Sequence, residues 1–215
     1  MASPSRRIKA MVGWGLGVIA LLVVALMAWL VIPILSSSPA GSSGQPLEVE
    51  GYPLSVSATG DDLRTRTLSA RFAGQSDRGL DQLAPGDRLI VSGEGFDSSK
   101  GIYVAICLVP SQVGTKPGPC LGGVPTTAVS PAQGEEVIEY AASNWVNDDW
   151  AWRLFGARGF DDRELGTFSA YIEVVDDRES GLDCSVDRCG LYTRNDHTAL
   201  DDRVQDLYVP VSLAR

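Results

Sequence analysis

Residues 10–35 carry no charged side chain, and a helix of that length covers about 39 Å at ~1.5 Å per residue, more than the ~30 Å hydrocarbon core of a bilayer. Arg6, Arg7 and Lys9 precede the run, and no acid or base follows it before Glu48. The positive-inside bias therefore predicts residues 1–9 as a cytoplasmic tail, 10–35 as a transmembrane helix, and everything after as extracytoplasmic. A cleaved signal peptide competes with this reading, because Ser38-Pro39-Ala40 resembles a small-residue cleavage site. Its apolar region would span only ~7–15 residues, however, and Trp14 and Trp29 sit near the two ends of the run as interfacial anchors do. The run is therefore expected to stay in the protein as a signal anchor at the cell membrane. The first cysteine is Cys107, so no lipobox follows the helix. Gly13 and Gly17, with Ala20 beyond, form a small-residue face that admits a second helix, although glycine is common in membrane helices in any case.

Residues 36–46, Ser-Ser-Ser-Pro-Ala-Gly-Ser-Ser-Gly-Gln-Pro, are small and polar, the composition of a flexible tether. The chain from Leu47 onward is long enough for one domain with a real core. It holds 15 of the 18 basic residues and all 27 acidic ones, a net of −12. Such a surface repels nucleic acid and anionic lipid headgroups, so no nucleic-acid partner is expected. Arginine greatly outnumbers lysine, the usage of a GC-rich genome.

Five segments read as strands: 88–92, 102–107, 167–174, 190–193 and 206–212. They are short, rich in β-branched and aromatic residues, and bounded by turn chemistry such as Pro85-Gly86-Asp87 and Asp97-Ser98-Ser99-Lys100-Gly101. That spacing predicts an all-β sandwich over residues 83–215. Pro210 within the last strand predicts an edge position or a bulge. Residues 47–82 alternate weakly and are read as an N-terminal extension.

The four cysteines, Cys107, Cys120, Cys184 and Cys189, all lie on the exported side, where disulfides are the default and three pairings are open. A metal site fits poorly: the Cys184–Cys189 spacing is too wide for a zinc knuckle, and the one histidine, His197, supplies no second half. The runs Pro85 to Phe96, Gly101 to Cys107 and Asp183 to Cys189 resemble the neocarzinostatin-type immunoglobulin-like domain. The segments 101–107, 119–123 and 193–198, with Asp202-Arg203 and Gln205-Asp206, are similar to the C-terminal segments of actinobacterial exported haem-uptake proteins. The resemblance spans about Leu83 to Leu213 and implies a sandwich stapled by two local disulfides, Cys107 with Cys120 and Cys184 with Cys189. It further implies a cleft beside the sandwich, where the family's antibiotic carriers hold an enediyne chromophore. This chain carries a longer insertion there, Pro110 to Leu165.

Catalytic chemistry finds little support. His197 sits in Asn195-Asp196-His197-Thr198, a turn-favouring context at a strand end, and no nucleophile elbow, P-loop or dinucleotide fingerprint occurs. Neither enzymatic activity nor a cofactor is expected. The acid pairs at Asp61, Asp148, Asp161, Asp176 and Asp201 with their next residues suggest calcium, but neighbouring side chains on extended backbone point to opposite faces. Solvated loops are the simpler account. The insertion holds Trp145, Trp150, Trp152 and Phe155, more aromatic area than a small sandwich needs for its core. With the strand-end group Arg194, Asp196, His197 and Arg203 they form the expected binding site, an aromatic floor with a charged rim. The chain reads as a membrane-anchored binding module that docks a membrane-protein or cell-envelope partner. The other reading is a carrier of a small hydrophobic or haem-like ligand in the side cleft.

Overall fold

The computed structural model describes Trp14 and residues 17–25, 41–122, 139–176 and 181–214. The chain divides into two units, Met1–Ser38 and Pro39–Arg215. In the first, Trp14 and residues 17–25 are helical, with apolar side chains such as Leu21 and Val24 exposed. Among the described residues no helix is long and apolar enough to cross a membrane. The rest of the expected span, the tail 1–9, Gly13 and residues 36–40 lie outside the described residues.

In the second unit, alternating apolar residues build eight strands among the described residues: β1 (Ser55–Thr59), β2 (Thr65–Phe72), β3 (Arg88–Glu94), β4 (Ile102–Leu108), β5 (Ser143–Val146), β6 (Phe168–Glu173), β7 (Cys189–Asn195) and β8 (Tyr208–Val211). They form two antiparallel four-stranded sheets, ordered β1-β2-β3-β6 and β5-β4-β7-β8. Period-two alternation sends Leu68, Leu89, Val91, Ala170 and Ile172 inward from the first sheet. There they meet Ile102, Val104, Ile106, Leu191 and Val209 from the second, in one buried cluster. Each large aliphatic in such a core contributes roughly 1.5–3 kcal/mol. Phe168 packs edge-on against Phe96 with ring centroids 5.0 Å apart and lies over Gly93, where any β-carbon would overlap the ring. An alanine at Gly93 would thus push Phe168 out of the core.

The all-β sandwich and both local disulfides are present, Cys107–Cys120 and Cys184–Cys189, with no free cysteine. All five expected strands form, and β8, which carries Pro210, is an edge strand. Three expectations need correction. Residues 47–82 are not an extension of the sandwich but part of it, since they supply β1 and β2, and β2 is an interior strand paired to β1 and β3. Their alternation is masked because β1 is mostly serine and threonine and because the inward position next to Leu68 and Ala70 is filled by Arg66. The insertion Pro110 to Leu165, in which no strand was expected, contributes β5, which pairs with β4. Residues 41–46 are not a free tether: Ser43 is buried, and the Gln45 amide bonds both the N–H and the C=O of Tyr208, each at 2.7 Å.

Candidate functional site

The outer face of the second sheet is covered. Tyr192 and Tyr208 stack at 4.8 Å there, and with Ala105, Val109 and the Cys107–Cys120 disulfide they form a second buried cluster against Val49. Two coverings create it. The loop 109–119 is pinned to β4 by the disulfide and by hydrogen bonds such as Leu108 N–H to Pro119 O, at 2.9 Å. Residues 41–49 form a strap, held by Gln45 and by the Tyr208 hydroxyl, which donates to Leu47 O at 2.6 Å. Between strap and loop remains a cavity of about 40 Å³ lined by Gln45, Thr115, Tyr192, Arg203, Asp206 and Tyr208, among others. A wider, open groove of about 520 Å³ runs between residues 48–52 and the edge of β8.

Farther along the same face the aromatic residues converge. Alternation on β4 turns Tyr103 outward, and antiparallel register sets it beside Trp145 on β5 and Arg194 on β7. The Tyr103 ring lies 6.0 Å from Trp145, beneath the Arg194 guanidinium at 5.7 Å, and its hydroxyl is 3.0 Å from His197 Nδ1. His197 meets Trp152 edge-on at 4.6 Å and Trp145 at 5.4 Å, and Trp152 continues to Phe155 at 6.3 Å. These spacings are those of favourable edge-to-face and tilted aromatic pairs.

Asp196 anchors the cluster. Fully buried, it accepts from Trp145 Nε1 and Asn147 Nδ2 at 2.8 Å each, and from the Thr198 N–H and hydroxyl. Burial alone would raise its pKa, but the bonds from Thr198, Trp145 and Asn147 outweigh it and hold the carboxyl below its ordinary value. The site thus has an ionised keystone with no free proton to give. Gly101 is required beside it, since a β-carbon there would overlap Asp196 and Asn147.

A one-turn helix, Trp150–Arg153, rises from this base, capped by the Asp149 carboxylate accepting from Ala151 N–H. None of its residues is buried, and Trp150, Leu154 and Phe155 stand 76%, 74% and 61% exposed. Of the expected site residues the structure brings together Trp145, Trp152, Phe155, Arg194, Asp196 and His197. Trp150 stands out on the helix instead of joining the ring contacts. Arg203 is buried elsewhere on the face, paired with Asp206 at 2.9 Å and donating to Leu200 O. Tyr103, at the centre of the cluster, adds to the expected set; its place between Ile102 and Val104 marks it as outward-facing. Arg194 donates to Pro117 O at 3.1 Å, and burial lowers its pKa, with Asp206 acting in the opposite sense.

Among the described residues no three His, Cys, Asp or Glu side chains are placed to hold a metal ion. Asp62, Asp148 and Asp202, from the adjacent acid pairs, are ion-paired to Arg66, Arg163 and Lys100. Compared with known proteins, the chain matches no family model, no curated protein and no solved structure.

Proposed function

We propose that this chain is a single-pass, membrane-anchored binding module whose extracytoplasmic, neocarzinostatin-like sandwich docks a membrane-protein or cell-envelope partner. The observation that carries the reading is the crest of Trp150, Leu154 and Phe155, exposed on a short helix and the turn that follows it, whose base is fixed by Asp196 and the Tyr103, Trp145 and His197 rings. Large apolar side chains held in solvent on a rigid support are what a protein interface uses as anchors. The uncharged run 10–35 supports the anchored topology, as does the exposure of the apolar side chains of residues 17–25.

The test is recovery of a stoichiometric partner from membranes in mild detergent, repeated with Trp150→Ala and Phe155→Ala. Loss of that same partner at unchanged melting temperature supports docking through the crest. A coloured or extractable small molecule in place of a protein points to the carrier reading, with the open groove beside β8 as the place to look. N-terminal sequencing checks the anchor: a chain beginning near Gly41 overturns it.

A further inference from the structure

The strap that covers the second sheet lies over a buried acid. Asp206 is 10% exposed; its Oδ2 pairs with Arg203 at 2.9 Å, and its Oδ1 has no hydrogen-bond partner among the described residues. Buried polar atoms without a partner are rare and demand a reason. Asp206 lines the cavity of about 40 Å³ that Ser43 and Gln45 close from the strap side. That space admits a water or two, but not the hydration shell a carboxylate requires.

The surrounding charges do not relieve the problem. Arg203 is shared with Leu200 O, and Arg194, from β7, gives Nη1 to Pro117 O. Lys116, on the stapled loop, is disfavoured as a cation by burial, Arg194 and Arg203, which together outweigh its attraction to Asp206 and Asp201. Asp202, nearby, is held by Lys100 at 2.6 Å and adds repulsion. Tyr192 and Tyr208 have hydroxyls pushed above their ordinary pKa by burial and stay neutral. Residues 41–47 contribute no ionisable side chain; Glu48, just beyond, lies 3.8 Å from Arg188.

We propose that residues 41–47 are a proton-operated latch, fastened over Asp206 while its carboxyl carries a proton and released when that carboxyl ionises. A neutral acid tolerates so confined a cavity. An ionised one draws water in, and the strap is the wall that gives way, because few bonds hold it: Gln45 to Tyr208, Tyr208 to Leu47, and Asp61 N–H to Ser42 O. Burial pushes Asp206 up to about 7, against the pull of Arg203 and Arg194. Opening restores its solvation and lowers that value, so raising the pH favours the open strap. The open fraction grows by up to about tenfold per pH unit while Asp206 titrates and levels off above its buried pKa. Release frees residues 41–47, lengthening the slack by on the order of 20 Å. If the anchored topology holds, this sets how far the domain stands from the bilayer; the latch itself does not depend on that topology.

Hydrogen exchange of the full-length chain, followed on peptides spanning 41–49 at pH 5.5 and 8 and corrected for intrinsic rates, tests this, with peptides from β4 and β7 as references. Strap protection is expected to fall by tenfold or more at the higher pH while β4 and β7 stay protected, and Asp206→Asn is expected to abolish the difference. Should that variant not fold, Gln45→Ala serves instead: its strap is expected to exchange fast at both pH values. A wild-type strap that exchanges equally at both, or a pH dependence that persists in Asp206→Asn or Gln45→Ala, overturns the latch.

Discussion

Asp196 shows how much of the site depends on one carboxylate. It holds the Trp145 indole, the Asn147 amide and the Thr198 turn at once, so truncation leaves three or more donors facing a buried void. A buried donor left without its partner costs about 1–3 kcal/mol, and Asp196→Ala is expected to lose about 3 kcal/mol or more, read as a lower denaturation midpoint. Trp145→Ala should also destabilise, by roughly 3 kcal/mol, because its ring is enclosed by Tyr103, Trp152 and His197. Trp150→Ala, on a 76% exposed side chain, should stay within ~0.5 kcal/mol of wild type. The two tryptophans therefore separate by setting, one a support within the cluster and the other a side chain standing in solvent, which the proposed docking would use as a contact. Their nearness was legible in the sequence, since both sit in one twelve-residue stretch. The division of labour was not, because it depends on which side of β5 faces β4 and where the chain turns out after Asn147.

At the scale of strands, two primary amides protect the sheet edges. Gln45 bonds the N–H and C=O of Tyr208 on β8, and Asn144 does the same to Tyr171 on β6, at 2.9 and 3.0 Å. Both tyrosines lie on edge strands, whose open backbone otherwise invites pairing with other chains. Pro210, two residues after Tyr208, has no N–H to leave open, so proline and glutamine share the protection of one edge. Asn144→Ala is expected to cost about 1–3 kcal/mol and to raise aggregation on heating, measured by light scattering beside the unfolding signal. The strands legible in advance, β3, β4, β6, β7 and β8, are those rich in β-branched and aromatic residues and bounded by turn residues. β2 escaped because Arg66, fully buried, takes an inward place, where it pairs with Asp62 through both guanidinium termini and reaches Gln205 at 3.4 Å. That bond from Arg66 also holds the Asp62 carboxyl below its ordinary value. A basic residue in a core is invisible to a hydrophobic pattern, because its acceptors are 4 and 139 positions away. The disulfides, by contrast, followed from the resemblance alone.

Across the whole domain, opposed carboxylates set the pH of greatest stability. Asp62, Asp87, Asp97 and Asp196 all have lowered pKa values: burial is the largest influence on the last three and raises them, but hydrogen bonds outweigh it. A depressed acid contributes stability above its unfolded pKa and loses it as the pH falls through the folded one, so these four protect the domain down to about pH 4. Asp206 runs the other way. Its folded pKa is raised to about 7, so its contribution is fullest below the unfolded value near 4 and disappears as the pH rises through 7. The two effects overlap in a mildly acidic window, where the four are ionised and Asp206 is not. Moving from pH 5.5 to 8 should therefore cost up to about 2 kcal/mol from Asp206 alone, less where opening of the strap restores its solvation. Thermal unfolding of the full chain at these two pH values is expected to show the higher melting temperature at 5.5. Asp206→Asn should flatten the profile between them while leaving the acid-side fall below pH 4 in place. A wild-type melting temperature that rises steadily from 5.5 to 8 would mean that the Arg203 pair outweighs the burial of Asp206, and that its carboxylate is the form the folded domain prefers.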